Sequence, residues 1–182
     1  MKSKKDIALR YDASAEIYDQ RYKDIQAQKY REIFSRLEIN GQESILDIGC
    51  GTGMLLGLLN NHKEKSTKLV GIDISLEMVK IANKKHPEID FLVADSDSLP
   101  LRENTFSKII SVTVLQNLPE PKYTINEIFR VSKADCKIAI SILRKTWTLE
   151  ELEKIILAGK LQIHDKWMAE IEDIGVLCSK SR

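Results

Sequence analysis

A group of closely spaced glycines, with acidic residues nearby, is the part of this sequence that most clearly predicts a ligand-binding site. Gly49, Gly51 and Gly53 alternate with single residues directly after an apolar stretch that begins at Ser44. An apolar, β-branched run followed by glycines and then by a second apolar run is typical of a strand, a tight loop and a helix. In parallel α/β sheets such a loop lies at the carboxyl end of a strand, where ligands bind. Asp47 precedes the first glycine by two residues and is placed to meet a cationic group of a ligand.

The spacing of the glycines separates two classes of cofactor. A dinucleotide-binding loop would have its third glycine at position 54, where this chain has Met54. The spacing therefore argues against a nicotinamide-dependent dehydrogenase. Residues 45–53 instead resemble the first motif of the class I S-adenosylmethionine-dependent methyltransferases, and of their type 11 group in particular. Residues 99–107 resemble a second type 11 motif, with Ser107 where an acid is usual. The resemblance implies S-adenosyl-L-methionine as the cofactor.

Two further acids end predicted strands and complete the expected cofactor site. Asp73 lies 24 residues after Gly49, about the offset at which nucleotide-binding α/β proteins place a carboxylate on ribose hydroxyls. The resemblance implies that Asp95 accepts from the adenine amino group and that the amide of Ser96 meets a ring nitrogen. Met78 is expected over the adenine face or in the core. The expected cofactor-binding residues are Tyr11, Tyr18, Asp47, Gly49, Cys50, Gly51, Gly53, Asp73, Ile74, Met78, Asp95, Ser96 and Thr113.

The residues that follow the fourth predicted strand are the candidates for catalysis. In this family Gln116 and Asn117 would leave that strand beside the glycine loop, where the acceptor meets the methyl group. Together with Tyr18 they are the catalytic candidates, although Gln116 and Asn117 fit a turn-capping role equally well. The segment lacks the Asn/Asp-Pro-Pro-Tyr/Phe arrangement common in enzymes that methylate base amines. No residue there resembles a strong general base, so the acceptor should already be reactive.

Histidines and cysteines give no sign of another chemistry. No group of them has metal-ligand spacing, so no metal is expected. His62, His86 and His164 lie in polar stretches away from the motifs and are expected to be solvated. The three cysteines are expected as reduced thiols of a cytoplasmic protein. No apolar run approaches the length of a membrane span, and no membrane partner is expected.

The alternation of predicted strands and helices indicates one α/β domain over residues 1–182. Residues 1–40 are predicted to form one or two amphipathic helices, whose tyrosines either pack on the domain or close over the cofactor. Residues 41–182 are predicted to form a Rossmann-like core of seven strands with helices on both faces. The sheet should be mostly parallel, with the last strand antiparallel as in the family. The expected strands cover residues 44–48, 68–73, 89–95, 108–115, 136–143, 161–168 and 174–178.

The size of the acceptor is inferred from a missing insertion. Many small-molecule members of this family carry a substrate lid of forty or more residues around the fifth and sixth strands, and this sequence has none there. An open site favours a large acceptor such as rRNA, tRNA or protein. A small-molecule acceptor, and a partner-dependent or non-catalytic subunit with a small activating protein, remain alternatives.

The charge of the chain gives only weak support for RNA. The net charge of +1 indicates neither nucleic acid nor membrane. Residues 1–36 carry nine Lys and Arg against six Asp and Glu. A further group is expected from Lys133, Lys137, Arg144 and Lys145, although such residues are more often a solvated face.

Overall fold

The computed structural model describes residues 3–61, 67–169 and 172–181. The predicted connection at 62–66, which includes His62, lies outside the described residues. Five helices of more than one turn are seen in the described part: α1 (Lys4–Phe34), α2 (Met54–Asn60), α3 (Leu76–Lys85), α4 (Pro121–Val131) and α5 (Leu149–Ala158). The strands are β1 (Ser44–Ile48), β2 (Lys68–Asp73), β3 (Asp90–Val93), β4 (Phe106–Val112), β5 (Ser132–Leu143), β6 (Leu161–Met168) and β7 (Asp173–Lys180).

The seven strands form one sheet in the order β3-β2-β1-β4-β5-β7-β6. The pairs from β3 through β5 are parallel, whereas β7 runs antiparallel to both β5 and β6. The predicted fold class is confirmed, including the antiparallel last strand. The carboxyl ends of β1, β2, β3 and β4 therefore meet at one edge of the sheet, where parallel α/β proteins form their sites.

Helices cover both faces of this sheet because the apolar side chains of the central strands alternate in direction. Ile109 of β4 faces α4 and α5 through a cluster that includes Ile128 and Leu152. Ile110, the next residue, belongs to the opposite cluster, which includes Leu55 of α2 and Val79 of α3. The C-terminal half of α1 joins this second cluster with Tyr30, Ile33 and neighbouring residues.

The N-terminal cap is a single helix of 31 residues, α1, whereas the sequence predicted either one or two helices. A capping box starts it: the Ser3 side chain accepts from the Asp6 amide, and the Asp6 carboxylate accepts from the Ser3 amide. Such reciprocal bonds satisfy amides that otherwise have no partner in the first turn. The helix ends at Phe34, before the predicted limit near residue 40.

Two predicted strands end earlier than expected, and both differences shape the site. β4 ends at Val112 because Thr113 has a left-handed backbone (φ 57°) and a short 3₁₀ turn follows at Leu115–Asn117. β3 ends at Val93, so Asp95 lies in the loop after the strand. Both changes turn the chain at the edge where the strands meet.

The basic group predicted on the fifth strand is divided. Lys133 and Lys137 lie in the first half of β5, whereas Arg144 and Lys145 follow its last residue. The two pairs of cations therefore lie toward opposite ends of β5. In the part of the chain that the structure describes, no helix is both long and apolar enough to cross a bilayer.

Candidate cofactor site

The glycine loop between β1 and α2 has a backbone that other residues adopt with strain. Gly49, Gly51 and Gly53 have φ of 76°, 53° and 80°. A Cβ at Gly49 would lie 2.3 Å from Cγ2 of Val114, so the loop packs against the exit of β4. A Cβ at Gly51 would meet nothing within 4 Å, because this residue faces open space. Close packing and an exposed main chain together make this loop a cradle for a ligand.

A cleft lies over this loop, with an empty volume of about 890 Å³ that includes solvent at its mouth. The loop and the ends of β1, β2 and β4 form its floor, and α1 covers it. It is lined by Ile7, Tyr11, Tyr18, Gln26, Tyr30, Asp47, Gly49, Cys50, Gly51, Thr52, Met54, Leu55, Ile72, Asp73, Ile74, Met78, Ala94, Ser96, Val112, Thr113, Val114, Asn117 and Leu118.

Asp73, the last residue of β2, is fixed in the cleft by main-chain amides. Its Oδ2 accepts from the Gly51 amide and its Oδ1 from the Ser75 amide, both at 2.9 Å. Burial raises the pKa of this carboxyl, although the two amide bonds oppose the rise. A carboxylate has about four acceptor positions, so each oxygen retains capacity for a ligand hydroxyl. This arrangement fits the vicinal hydroxyls of a ribose.

Asp47, within β1, is a buried carboxyl group that lines the cleft and is 3% exposed. Burial, with a smaller contribution from the nearby Asp73, raises its pKa to about 8. A carboxyl group in such surroundings gains most from a cationic partner, which would restore its charged form. A positive group of a ligand would therefore be favoured beside Asp47.

Ion pairs and hydrogen bonds fasten the N-terminal half of α1 over the cleft. The Asp12 carboxylate accepts from the Ser75 hydroxyl at 2.6 Å and from the Glu77 amide at 3.1 Å, at the start of α3. Asp19 accepts from the Thr52 hydroxyl of the glycine loop at 2.5 Å and pairs with Lys85. Helix α1 is thus connected to the glycine loop and to both ends of α3.

Asp95 does not line the cleft, although Ser96 beside it does. The Lys4 ammonium lies 2.5 Å and 2.7 Å from the two carboxylate oxygens of Asp95 and also pairs with Asp97. The Ser96 hydroxyl bonds to the Thr124 hydroxyl at 2.8 Å. The contact of Asp95 with adenine stays a prediction, and in this structure that carboxylate is occupied by α1.

The two catalytic candidates after β4 differ in position. The Gln116 side chain donates to the Thr113 carbonyl at 2.6 Å and does not line the cleft. Asn117 also donates to Thr113, at 3.0 Å, but it lines the cleft and contacts the Tyr11 hydroxyl at 3.3 Å. Arg10 donates to the Asn117 side chain at 3.2 Å. Asn117 therefore links α1 to the exit of β4, whereas Gln116 stabilises the turn.

Twelve of the predicted residues meet at the cleft, and three do not. Those that line it are Tyr11, Tyr18, Asp47, Gly49, Cys50, Gly51, Asp73, Ile74, Met78, Ser96, Thr113 and Asn117. Gly53, Asp95 and Gln116 are outside the lining, and the binding and catalytic roles of the whole set stay predictions. Met78 is only 1% exposed, so it serves the core and the cleft at once. Sequence reasoning missed Gln26 and Tyr30, which α1 brings into the cleft.

The two described histidines lie away from the cleft lining. His164 is exposed on β6 and bonds to the Ser179 hydroxyl at 2.7 Å. His86 is half-buried, and its ring packs against Gly57, where an added Cβ would lie 2.3 Å from it. His86 is thus only partly solvated, because one side of its ring packs against α2.

A family model described as a methyltransferase domain matches residues 46–140 of this chain. The chain belongs to the type 11 group of class I S-adenosylmethionine-dependent methyltransferases, and its cofactor is S-adenosylmethionine. The residues of the cleft fit that cofactor. The buried Asp47 carboxyl suits a positively charged group, the Asp73 carboxylate has acceptor positions left for hydroxyls, and the main chain at Gly51 faces open space. The predicted family and cofactor are confirmed.

Among curated proteins, this chain is 37% identical over 156 residues to the uncharacterised protein MJ1252 of Methanocaldococcus jannaschii, covering 84% of this chain and 57% of that protein. It is 34% identical to the tRNA (carboxymethyluridine(34)-5-O)-methyltransferase of Arabidopsis thaliana, covering 69% of this chain and 29% of that protein. The chain spans about half the length of the first curated relatives that it matches.

Solved structures share the fold at low sequence identity. In the complex between the Haloferax volcanii Trm112 methyltransferase activator and its methyltransferase partner, one chain aligns with a TM-score of 0.84 at 17% identity, covering 94% of this chain and 98% of that one. The magnesium protoporphyrin IX methyltransferase of Synechocystis, solved with bound S-adenosylmethionine, aligns with a TM-score of 0.81 at 19% identity, covering 100% and 98%.

Proposed function

We propose that this chain transfers the methyl group of S-adenosylmethionine to a carboxylate carried by a macromolecule, with tRNA as the substrate class. The observation that carries the proposal is the cover of the cleft. Helix α1 lies over it, while short connections join β5, α5 and β6, from Leu143 to Leu149 and from Ala158 to Leu161. A cleft covered by one helix leaves room for a group presented by a large molecule to reach lining residues after β4, such as Asn117 and Leu118.

The lining residues after β4 suit an acceptor that needs no base. S-adenosylmethionine supplies a methyl group that is already activated on a sulfonium. An ionised carboxylate is a nucleophile without loss of a proton, so the protein needs only to orient it and exclude water. The Tyr11 hydroxyl accepts from the Asn117 amide, so its own proton remains available to donate to such a carboxylate from the cleft lining.

The relatives support the same acceptor chemistry. One is named for O-methylation of carboxymethyluridine in tRNA, and another, from Marinomonas, is a malonyl-[acyl-carrier protein] O-methyltransferase. Both names describe an acid group attached to a macromolecule. The tRNA relative has the higher identity, 34% over 129 residues, against 27% over 143 residues for the other. A demethylmenaquinone methyltransferase of Renibacterium salmoninarum, at 28% identity, represents the small-molecule alternative.

Exposed cations beside the cleft favour a negatively charged macromolecule, such as RNA, over a lipid. Arg10 is exposed, stacks on the Tyr11 ring at 4.8 Å and reaches Asn117. Arg144 and Lys145 follow β5, the strand next to β4, and are also exposed. Among the described residues, none of these three cations has an acidic partner within ion-pair distance. Unpaired cations at one edge are available to phosphates.

The test is transfer of radiolabelled methyl groups into a cell extract, which is then separated into RNA, protein and small molecules. Label is expected in tRNA, and mild alkali should release it as methanol because methyl esters hydrolyse. Label confined to small molecules or to protein would overturn the tRNA proposal. Alkali-stable label in tRNA would overturn the carboxylate proposal alone.

We also propose a small activating partner, since the Haloferax volcanii neighbour was solved with an activator. The proposal is supported if transfer needs a protein fraction of the extract while cofactor binding does not. Binding without transfer under every condition would instead favour a non-catalytic subunit. The buried, unpaired Cys50, Cys136 and Cys178 are in keeping with work in the cytoplasm.

A further inference from the structure

Arg10 is an exposed cation of α1 that two residues of the cleft lining hold in place. Its guanidinium lies 4.8 Å from the centroid of the Tyr11 ring, and its Nη2 donates to Asn117 Oδ1 at 3.2 Å. Both Tyr11 and Asn117 line the cleft, so these contacts fix the charge at the edge of the cleft. In the described part of the chain, no carboxylate lies within ion-pair distance of Arg10.

A strained turn after β4 orients Asn117 toward this arginine. Thr113 has a left-handed φ of 57°, which is unfavourable for a β-branched residue. In this conformation its carbonyl accepts from the side-chain amides of Gln116 at 2.6 Å and of Asn117 at 3.0 Å. The Asn117 Nδ2 also donates to the Tyr11 hydroxyl, so both of its hydrogens are used and only the Oδ1 side is left for Arg10. Unfavourable backbone conformations of this kind cluster at functional sites.

The contacts of Arg10 leave it able to bind a further group. A guanidinium has five N–H donors, of which Asn117 takes one. The planar fork of these donors matches a pair of oxygens on a carboxylate or a phosphate. An arginine that is already stacked and hydrogen-bonded loses less side-chain freedom on binding than a mobile one does. Arg10 is therefore suited to an anion that presents two oxygens at the edge of the cleft.

We propose that Arg10 binds an anionic group of the methyl acceptor, with Asn117 as its positioning residue. The group is the carboxylate that receives the methyl group or a phosphate beside it, because a guanidinium recognises both through a pair of oxygens. The inference rests on the proposed function in one respect, namely that the acceptor is an anion. It goes further by assigning recognition of that anion to one residue.

Steady-state transfer from radiolabelled S-adenosylmethionine into the tRNA fraction of the extract tests this role. In Arg10→Gln, kcat/KM should fall about tenfold or more, the loss expected when hydrogen bonds to a charged group are removed. In Arg10→Lys it should fall roughly threefold or more, because an ammonium does not reproduce the planar pair of bonds. Affinity for S-adenosylhomocysteine should stay within about twofold in both variants, which also shows that they are folded.

Arg21→Gln is the matched control, since Arg21 is exposed on the same helix about three turns further along. It makes the same change of charge and should leave kcat/KM within about twofold of the native value. Unchanged kcat/KM in Arg10→Gln, or full activity in Arg10→Lys, would overturn the inference.

The pattern of the loss identifies the anion. A phosphate contact should raise KM while kcat stays nearly constant, and the slope of log kcat/KM against log salt should fall by about one. A contact with the reacting carboxylate should lower kcat as well, because that group would no longer be aligned with the methyl group. Arg10→Gln should also have a smaller effect in an Asn117→Ala background, and an undiminished effect there would remove Asn117 as the positioning residue.

Failure of the proposed function is recognised separately, from the fraction that takes up the label and from its stability to alkali. If the label enters protein, the same variants are compared on that fraction with the same expected losses. If the native chain transfers no label, Arg10→Gln should bind fluorescently labelled bulk tRNA more weakly than Arg21→Gln does. Equal binding by these two variants would then overturn the inference.

Discussion

Asp47 shows at the residue scale how a buried carboxyl group affects the stability of the protein as the pH changes. Its pKa in the folded state, about 8, lies above the value near 4 of an unfolded chain. The folded state therefore binds this proton more tightly than the unfolded state does. As the pH rises from about 4 through 8, the contribution of Asp47 to stability is therefore progressively lost.

Removing this charge should stabilise the ligand-free protein at alkaline pH. In Asp47→Asn the melting temperature near pH 8.5 should rise by about 2–4 °C or more, the shift that about 1 kcal/mol gives in a chain of this length. Near pH 5, where the native carboxyl is already neutral, the melting temperature should change little. Differential scanning fluorimetry at the two pH values measures this. An equal shift at both pH values would contradict the assigned burial effect.

Cofactor binding should be linked to the same proton. An ammonium beside Asp47 favours its charged form, so binding near pH 7 should release a proton, and the affinity for S-adenosylhomocysteine should rise by up to about tenfold per pH unit until about pH 8. Calorimetry in buffers of different ionisation enthalpy counts the protons. In Asp47→Asn, the protons that Asp47 releases on binding should no longer be counted. Unchanged proton release in that variant would assign the linkage to another group.

Asp73 should contribute to affinity through its free acceptor positions. Asp73→Ala should weaken S-adenosylhomocysteine by about 1–3 kcal/mol, since ligand hydroxyls would lose their partner. Asp90→Ala is a suitable control, because Asp90 is exposed at the start of β3. Titration calorimetry gives both values. Undiminished binding in Asp73→Ala would remove the ribose assignment.

Site residues that lie in a contiguous sequence motif could be predicted from the sequence, whereas residues that meet the site only through distant contacts could not. Asp47, Asp73 and the glycines are recognisable because a strand end and its loop are contiguous in the chain. Gln26 has a weaker signal: it lies eight residues after Tyr18 and four before Tyr30, and so continues the tyrosine stripe of the helix. The contact of Lys4 with Asp95 spans 91 positions and has no local signal at all.

At the scale of elements, α1 is the part of the structure that closes the cleft. Its length was left open by the sequence because a periodic pattern does not tell one long helix from two. Its position over the strand ends depends on distant partners: Lys4 contacts the loop after β3, Asp12 the start of α3 and Asp19 the glycine loop. Side chains that meet only after folding decide where this helix lies.

Loosening the first turn of α1 should speed the escape of the cofactor. Lys4 pairs with Asp95 and Asp97 and is partly exposed, so Lys4→Ala should cost little stability. The dissociation rate of S-adenosylhomocysteine should rise by roughly twofold to tenfold, with a smaller effect on the association rate. Lys5→Ala is the neighbouring control, since Lys5 is exposed. Stopped-flow displacement measures both rates, and identical rates in the two variants would mean that this end of α1 is not a gate.

At the scale of the whole molecule, a buried ion pair joins α1 to the antiparallel end of the sheet. The Lys29 ammonium lies 3.0 Å from the Asp173 carboxylate, and these side chains are 9% and 2% exposed. Asp173 also accepts from the Ser141 hydroxyl of β5 at 2.8 Å. One half of α1 therefore covers the candidate cofactor cleft, while the other half is fixed to β5 and β7. The cleft and the distal end of the sheet share one helix.

This ion pair should matter far more to stability than any surface pair. Lys29→Met leaves the Asp173 charge buried without its partner, which should lower the free energy of unfolding by about 3–5 kcal/mol. The double variant Lys29→Met/Asp173→Leu removes both charges and should recover much of that loss. Lys23→Met, at an exposed position of the same helix, should change stability by no more than about 0.5 kcal/mol. Urea unfolding measures all three. A double variant as unstable as the sum of its single variants would show that the two charges act independently and that α1 is held by its apolar face alone.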